Sequence, residues 1–116
     1  MGEAAEVRAL AHLSDQGLSL VRRNYRVAAG PRSRGGEIDL ILRDPDGTLV
    51  FVEVRSRSST SHGGAAASIG AMKQRRIVFA AQCFLRGLRV MPPCRFDVIA
   101  IDGEHIDWLR GAFDAT

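Results

Sequence analysis

Four residues, Asp44-Pro45-Asp46-Gly47, separate two apolar runs and thereby set how those runs can meet. The runs are Glu37-Ile38-Asp39-Leu40-Ile41-Leu42 and Leu49-Val50-Phe51-Val52-Glu53-Val54-Arg55, rich in the branched and aromatic residues that suit strands. Pro45 fits the first central position of a type I turn and Asp46 tolerates the second. Gly47 can take the left-handed conformation that completes a three-residue hairpin loop with a bulge. Closing that loop between Asp44 and Thr48 predicts Asp39 opposite Glu53, Ile41 opposite Phe51 and Glu37 opposite Arg55. A two-residue loop would shift the register by one and put the two acids on opposite faces.

Asp39 and Glu53 are thus predicted to face each other inside apolar strands. Burying a carboxylate is costly unless a cation, a metal or dense hydrogen bonding replaces its water. Directly opposed like charges destabilise a sheet, and a divalent cation between them turns the repulsion into chelation. The competing reading is a hydrogen-bonded or ion-paired acidic core, in which Glu37 and Arg55 merely close the hairpin as a cross-strand pair. Strand alternation places Phe51, Glu53 and Arg55 on one face and Val50, Val52 and Val54 on the other. Carboxylates beside a cationic side chain are what metal-dependent phosphodiester cleavage needs, and hard oxygen donors favour Mg2+ or Mn2+.

The rest of the chain predicts a mixed α/β domain. Gly2 to Gln16 suits an amphipathic helix ending before Gly17, and Leu18 to Val27 a first strand. Ala28 to Gly36 is a basic, glycine-containing loop, and Ser56 to Gly64 is a Ser/Gly-rich one. Ala65 to Leu88 contains a long helix, which Pro92 and Pro93 prevent from continuing. Cys94 to Ile101 reads as a strand, joined through Asp102-Gly103 to another at His105 to Leu109. The long helix forms a crossover, so the strands on either side of it are expected to be parallel neighbours.

At 116 residues the chain is expected to form one domain, residues 1–116. Its formal charge of +3 is compatible with a polyanionic partner without demanding one. Every basic residue is arginine except Lys73. Arg22, Arg23, Arg26, Arg32 and Arg34 precede the hairpin and Arg57, Arg75 and Arg76 follow it, a distribution able to hold a nucleic-acid backbone. The aromatics, Tyr25 and Trp108 included, look too sparse for a single-strand stacking platform. Cys83 and Cys94 lack metal or redox spacing and are expected to be reduced, partly buried thiols, while His12, His62 and His105 form no ligand set. The longest uncharged apolar stretch, Ile77 to Leu85, is too short for a bilayer, which leaves a cytoplasmic location as the default.

Asp39, thirteen residues, then Glu53-Val54-Arg55 resembles the PD-(D/E)xK nuclease motif with arginine in the lysine position. Gly36-Glu37-Ile38-Asp39-Leu40, Phe51 to Arg57, Gly63 to Ser68 with Lys73, and Arg95-Phe96-Asp97-Val98-Ile99 together resemble the small bacterial YraN-like family over essentially the full length. That family is similar to archaeal Holliday-junction resolvases. The resemblance implies a restriction-endonuclease-like core with a mixed sheet and flanking helices, and a metal-dependent endonuclease-like activity on DNA, branched DNA included. It also implies a homodimer as the form that cuts two strands. The alternative is a noncatalytic module with a degenerate site that binds nucleic acid or a protein. Carried onto this chain, Asp39 and Glu53 match the metal-binding acids, and Arg55 stands where the catalytic lysine usually is. Glu6 resembles a helix-borne glutamate of resolvase-like members, or is an acid favouring a helix N-terminus. Lys73 is either a lysine migrated to the following helix or an exposed helix residue. Arginine can anchor a phosphate but cannot readily pass a proton. Asp97 reads as structural.

Overall fold

The computed structural model describes residues 2–32, 34–57 and 69–115. Along the chain come α1 (Gly2–Asp15), β1 (Ser19–Val27), β2 (Gly36–Arg43), β3 (Leu49–Arg57), α2 (Ala71–Arg86), β4 (Cys94–Asp102) and β5 (His105–Phe113). The strands form one sheet in the order β1-β2-β3-β4-β5. β3 and β4 are parallel, as the intervening helix requires, and the other neighbours are antiparallel. The class is mixed α/β with helices on both faces, consistent with a restriction-endonuclease-like core.

Both faces of the central strands are buried, which is why their sequences read as nearly continuous apolar runs. Leu40, Leu42, Val50, Val52, Ile99 and Ile101 pack beneath α1, whose Ala5, Ala9 and Leu13 recur every four residues on one helical face. Ile41, Phe51, Phe96 and Val98 pack on the other face against Ile77, Ala80 and Ala81 of α2. Full burial of a large apolar side chain contributes about 1.5–3 kcal/mol relative to exposure. The two apolar layers thus hold the scaffold rigid around the polar end of the hairpin. α2 lies so close to the start of β2 that a Cβ at Gly36 would run into the backbone carbonyl of Arg76.

The predicted turn forms. The Asp44 amide donates to the Thr48 carbonyl at 2.9 Å, and the Gly47 amide to the Asp44 carbonyl at 2.8 Å. Gly47 sits at φ +93°, where a side chain would be strained. The Thr48 amide donates to the Asp46 carboxylate at 2.9 Å, which holds the Asp46 pKa below its ordinary value. Leu40–Val52, Ile41–Phe51, Leu42–Val50 and Arg43–Leu49 are paired, the register of a three-residue loop.

Where the structure departs from expectation, local chemistry explains it. The β2–β3 ladder stops at Leu40–Val52, so Glu37 is not a ladder partner of Arg55. On its other side it lies opposite Arg26 of β1, its carboxylate 4.0 Å from the guanidinium Nε. The ladder ends because the Asp39 carboxylate inserts between the strands and accepts the Val54 amide at 2.8 Å. β3 continues through Ser56 and Arg57, and the remainder of the expected Ser/Gly loop, His62 included, lies outside the described residues. So does the stretch 65–68 before α2. β5 reaches Phe113 rather than stopping at Leu109, because Gly111, at φ +60°, absorbs a bulge between the Val98–Leu109 and Phe96–Phe113 pairs. Cys94 is exposed rather than partly buried. No described helix is long and apolar enough to cross a membrane.

Candidate functional site

Beyond Leu40–Val52 the two hairpin strands part, and a cleft of about 590 Å³ opens at that end of the sheet. Every flanking element sends polar residues into it: Glu6 from α1, Asn24 and Arg26 from β1, Glu37 and Asp39 from β2, Glu53 and Arg55 from β3, and Lys73 from α2. The five residues singled out from sequence therefore share one cavity, although they span nearly seventy positions of the chain.

Asp39 is the hinge of this cluster. Besides holding the Val54 amide, it lies within hydrogen-bonding reach of both Glu6 and Glu53. Carboxylates that close cannot all be charged without a proton or cation between them. Burial, and then the Asp39 charge, push the Glu53 pKa up to about 7, against the pull of Lys73. The Lys73 Nζ stands 3.3 Å from Glu53 Oε2, with its side chain 44% exposed against 6% for Glu53. Burial and Asp39 also raise the Glu6 pKa, while Arg23 and a hydrogen bond from the Asn24 side chain oppose them.

One oxygen in the cluster is unprovided for. Glu53 Oε1 is buried and has no hydrogen-bond partner among the described residues. A buried carboxylate oxygen left in that state carries the full penalty of its lost water. Carboxylate oxygens are the hard donors that suit a divalent cation, and Glu6, Asp39 and Glu53 bring them to one cleft. Among the described residues, no three His, Cys, Asp or Glu side chains are already gathered into a metal-holding group. Asp39 touches its two neighbours in turn rather than sharing one focus with them.

The sequence matches the model of a protein family, described as an uncharacterised protein family, over residues 5–101. The chain belongs to the UPF0102 family. It is 66% identical to the UPF0102 protein of Methylibium petroleiphilum, over all of this chain and 95% of that one. It is 63% identical to one from an Acidovorax species, over 99% of this chain and 85% of the relative. A third, from Paracidovorax citrulli, is 62% identical over 98% and 82%. These names state no activity.

A second buried acid in this UPF0102 protein is built differently. Asp97 of β4 is wholly buried, and its carboxylate accepts from Arg95 Nε at 3.1 Å, Trp108 Nε1 at 2.9 Å and the Gly111 amide at 2.9 Å. Arg95 also bonds Asp44 at 2.9 Å, tying the hairpin turn to β4. Asp97 is thus structural, as its sequence context suggested. The residue that sequence reasoning missed is Asn24, held at φ 50° inside β1, an uncommon conformation for any residue but glycine. The signal was available, because asparagine is depleted in strands and enriched in left-handed backbone.

Proposed function

We propose that this UPF0102 protein is a divalent-metal-dependent, endonuclease-like hydrolase of DNA phosphodiester bonds, branched DNA included. The reading is supported by one observation above all: Glu6, Asp39 and Glu53 line one open cleft with Lys73, and Glu53 Oε1 is buried with no partner among the described residues. Asp39 and Glu53 are the residues that would hold Mg2+ or Mn2+. Such an ion supplies charge neutralisation at the phosphate and a bound water of lowered pKa.

The remaining groups divide the other tasks. Arg55 brings a permanent positive charge to the cleft, suited to orienting a phosphate and stabilising charge that develops on it. Proton transfer falls to Lys73, half-exposed and already in contact with the cluster. Glu6, its pKa raised, can hold a proton at the α1 side of the same cleft. Cutting both strands of a junction would require two copies of the chain, so the active form in this reading is a homodimer.

The test is cleavage of duplex, flap and four-way-junction DNA in Mn2+. Asp39→Asn and Glu53→Gln are each expected to lower cleavage by about 100-fold or more, the scale seen when one transition-state contact is removed. Lys73→Met should lower cleavage while DNA is still bound. Cleavage that survives both acid substitutions refutes the site. Arginine in place of lysine at position 55 favours a second reading, a noncatalytic nucleic-acid-binding module. Salt-sensitive DNA binding with no cleavage in any metal would establish it.

A further inference from the structure

A second groove, of about 430 Å³, runs between the β1–β2 connection and α2, lined by Arg32, Arg34, Arg75 and Arg76 with Met72 and Phe79. Among the described residues its lining contains no acid, in contrast to the cleft holding Glu6, Glu37, Asp39 and Glu53. A small recess lined by Glu37, Lys73, Arg76 and Ile77 shares Glu37 and Lys73 with the cleft and Arg76 with the groove. A polyanion lying along the arginines would therefore lead, past Lys73, to the carboxylate cluster.

The apolar members of the groove say more than the charges do. Met72 is 48% exposed on the helix, and its Sδ receives the Arg34 guanidinium at 3.4 Å. Phe79 is half-buried and belongs to neither apolar cluster formed by the described residues. Met72, Arg75, Arg76 and Phe79 recur at the three- and four-residue spacing of one helical face. An aromatic and a thioether set among four guanidinium groups offer a flat apolar surface within reach of several phosphate contacts. A base already paired inside a duplex cannot present its face to Phe79, whereas an unpaired base can.

We propose that this groove binds an unpaired strand of DNA, with Arg32, Arg34, Arg75 and Arg76 on its phosphates and a base stacked on Phe79 beside Met72. The identity of the polyanion rests on the nuclease reading, while the preference for a single strand rests on the groove itself. Binding is measured by fluorescence anisotropy in EDTA, using a labelled single-stranded DNA oligonucleotide, the same sequence as a duplex, and the same sequence in RNA. Wild type is expected to bind the single DNA strand more tightly than the duplex, and more tightly than the RNA. Arg75→Ala with Arg76→Ala should weaken single-strand binding by roughly ten-fold or more and flatten its salt dependence. Phe79→Leu, which keeps apolar volume, should weaken single-strand binding by roughly ten-fold, the scale of one base–aromatic stack, and leave duplex binding unchanged.

Equal or tighter duplex binding by wild type overturns the proposal. So does wild-type affinity in the arginine variant, equal loss on both DNA forms in Phe79→Leu, or tighter binding of the RNA. Thermal melts of the variants, expected to match wild type because the arginines are exposed and the apolar volume is kept, show that the losses are not unfolding. Groove-dependent binding without Mn2+-dependent cleavage would refute the nuclease reading alone. Cleavage with groove-independent binding would refute this proposal alone.

Discussion

Two acids are buried in this sheet, and they are treated in opposite ways. Asp97 is enclosed by donors from Arg95, Trp108 and Gly111 that occupy both of its oxygens. Glu53, the residue next after the end of the hairpin ladder, is set beside Asp39, keeps one oxygen without a partner among the described residues and has the half-exposed Lys73 against the other. The same chemical group thus stabilises one end of the sheet and strains the other. A carboxylate kept buried beside another acid lacks the compensation that Asp97 has, and that contrast is what the proposed metal site rests on.

The sharpest way to break this contrast is to remove each acid in turn and compare stabilities. Asp97→Ala removes the shared acceptor of the part-buried Arg95 guanidinium, the Trp108 N–H and the Gly111 amide, and although Arg95 keeps Asp44, the loss of a wholly buried ionic partner is expected to cost about 3 kcal/mol. Glu53→Gln replaces a carboxyl that keeps its proton up to about pH 7 with a neutral amide of the same shape, and is expected to leave stability within about 1 kcal/mol of wild type, or raise it. Both are read from urea unfolding midpoints. An Asp97→Ala loss no larger than that of Glu53→Gln would show that the two acids do the same work.

Metal should separate the two regions next. If Glu53 and Asp39 hold a divalent ion, Mn2+ at about 100 times its dissociation constant stabilises the wild-type fold by about 2.7 kcal/mol. Glu53→Gln should lose this increment, visible as a melting temperature that no longer responds to Mn2+. An unchanged response would place the ion elsewhere.

A smaller effect is expected from pH in metal-free buffer. The folded protein holds a proton on Glu53 up to about pH 7, whereas the unfolded chain releases it near the ordinary value of 4.5. Between those values the folded state binds more protons, so stability falls as pH rises from about 4.5 towards 7 and is level above it. Glu53→Gln should flatten that decline. A wild-type stability that rises across this window would contradict the environment assigned to Glu53.

The hairpin was legible in the sequence because its determinants are local: Pro45, Asp46 and Gly47 admit one loop, and the loop carries the register to Ile41–Phe51. The crossover was legible because a helix between two strands leaves little alternative to parallel pairing. What could not be read lay where a side chain competes with the backbone. Asp39 takes the Val54 amide where the ladder ends, while the β1–β2 register sets Glu37 opposite Arg26, and no propensity encodes either. The extension of β5 likewise depends on Gly111 bulging to reach Asp97 from fourteen residues away. Of the site, the residue types were legible and their convergence was not, since Glu6 and Lys73 reach the cleft from opposite faces of the sheet through helix packing.

Asn24 gives the finest test of whether strain at the Glu53 end belongs to the site. Its φ of 50° costs a non-glycine residue about 1 kcal/mol, more for residues less tolerant than asparagine, and its side chain bonds Glu6. Asn24→Gly relieves the backbone while deleting the Glu6 contact, and is expected to change stability by less than about 0.5 kcal/mol. Asn24→Ala deletes the same contact and keeps the strain, so it should be about 1 kcal/mol less stable than the glycine variant. If the contact positions Glu6 for chemistry, both variants lose cleavage equally despite their different stabilities. If instead the backbone conformation matters only for folding, cleavage per folded molecule stays at the wild-type level in both, and the strained residue belongs with the scaffold around Asp97 rather than with the cluster around Asp39.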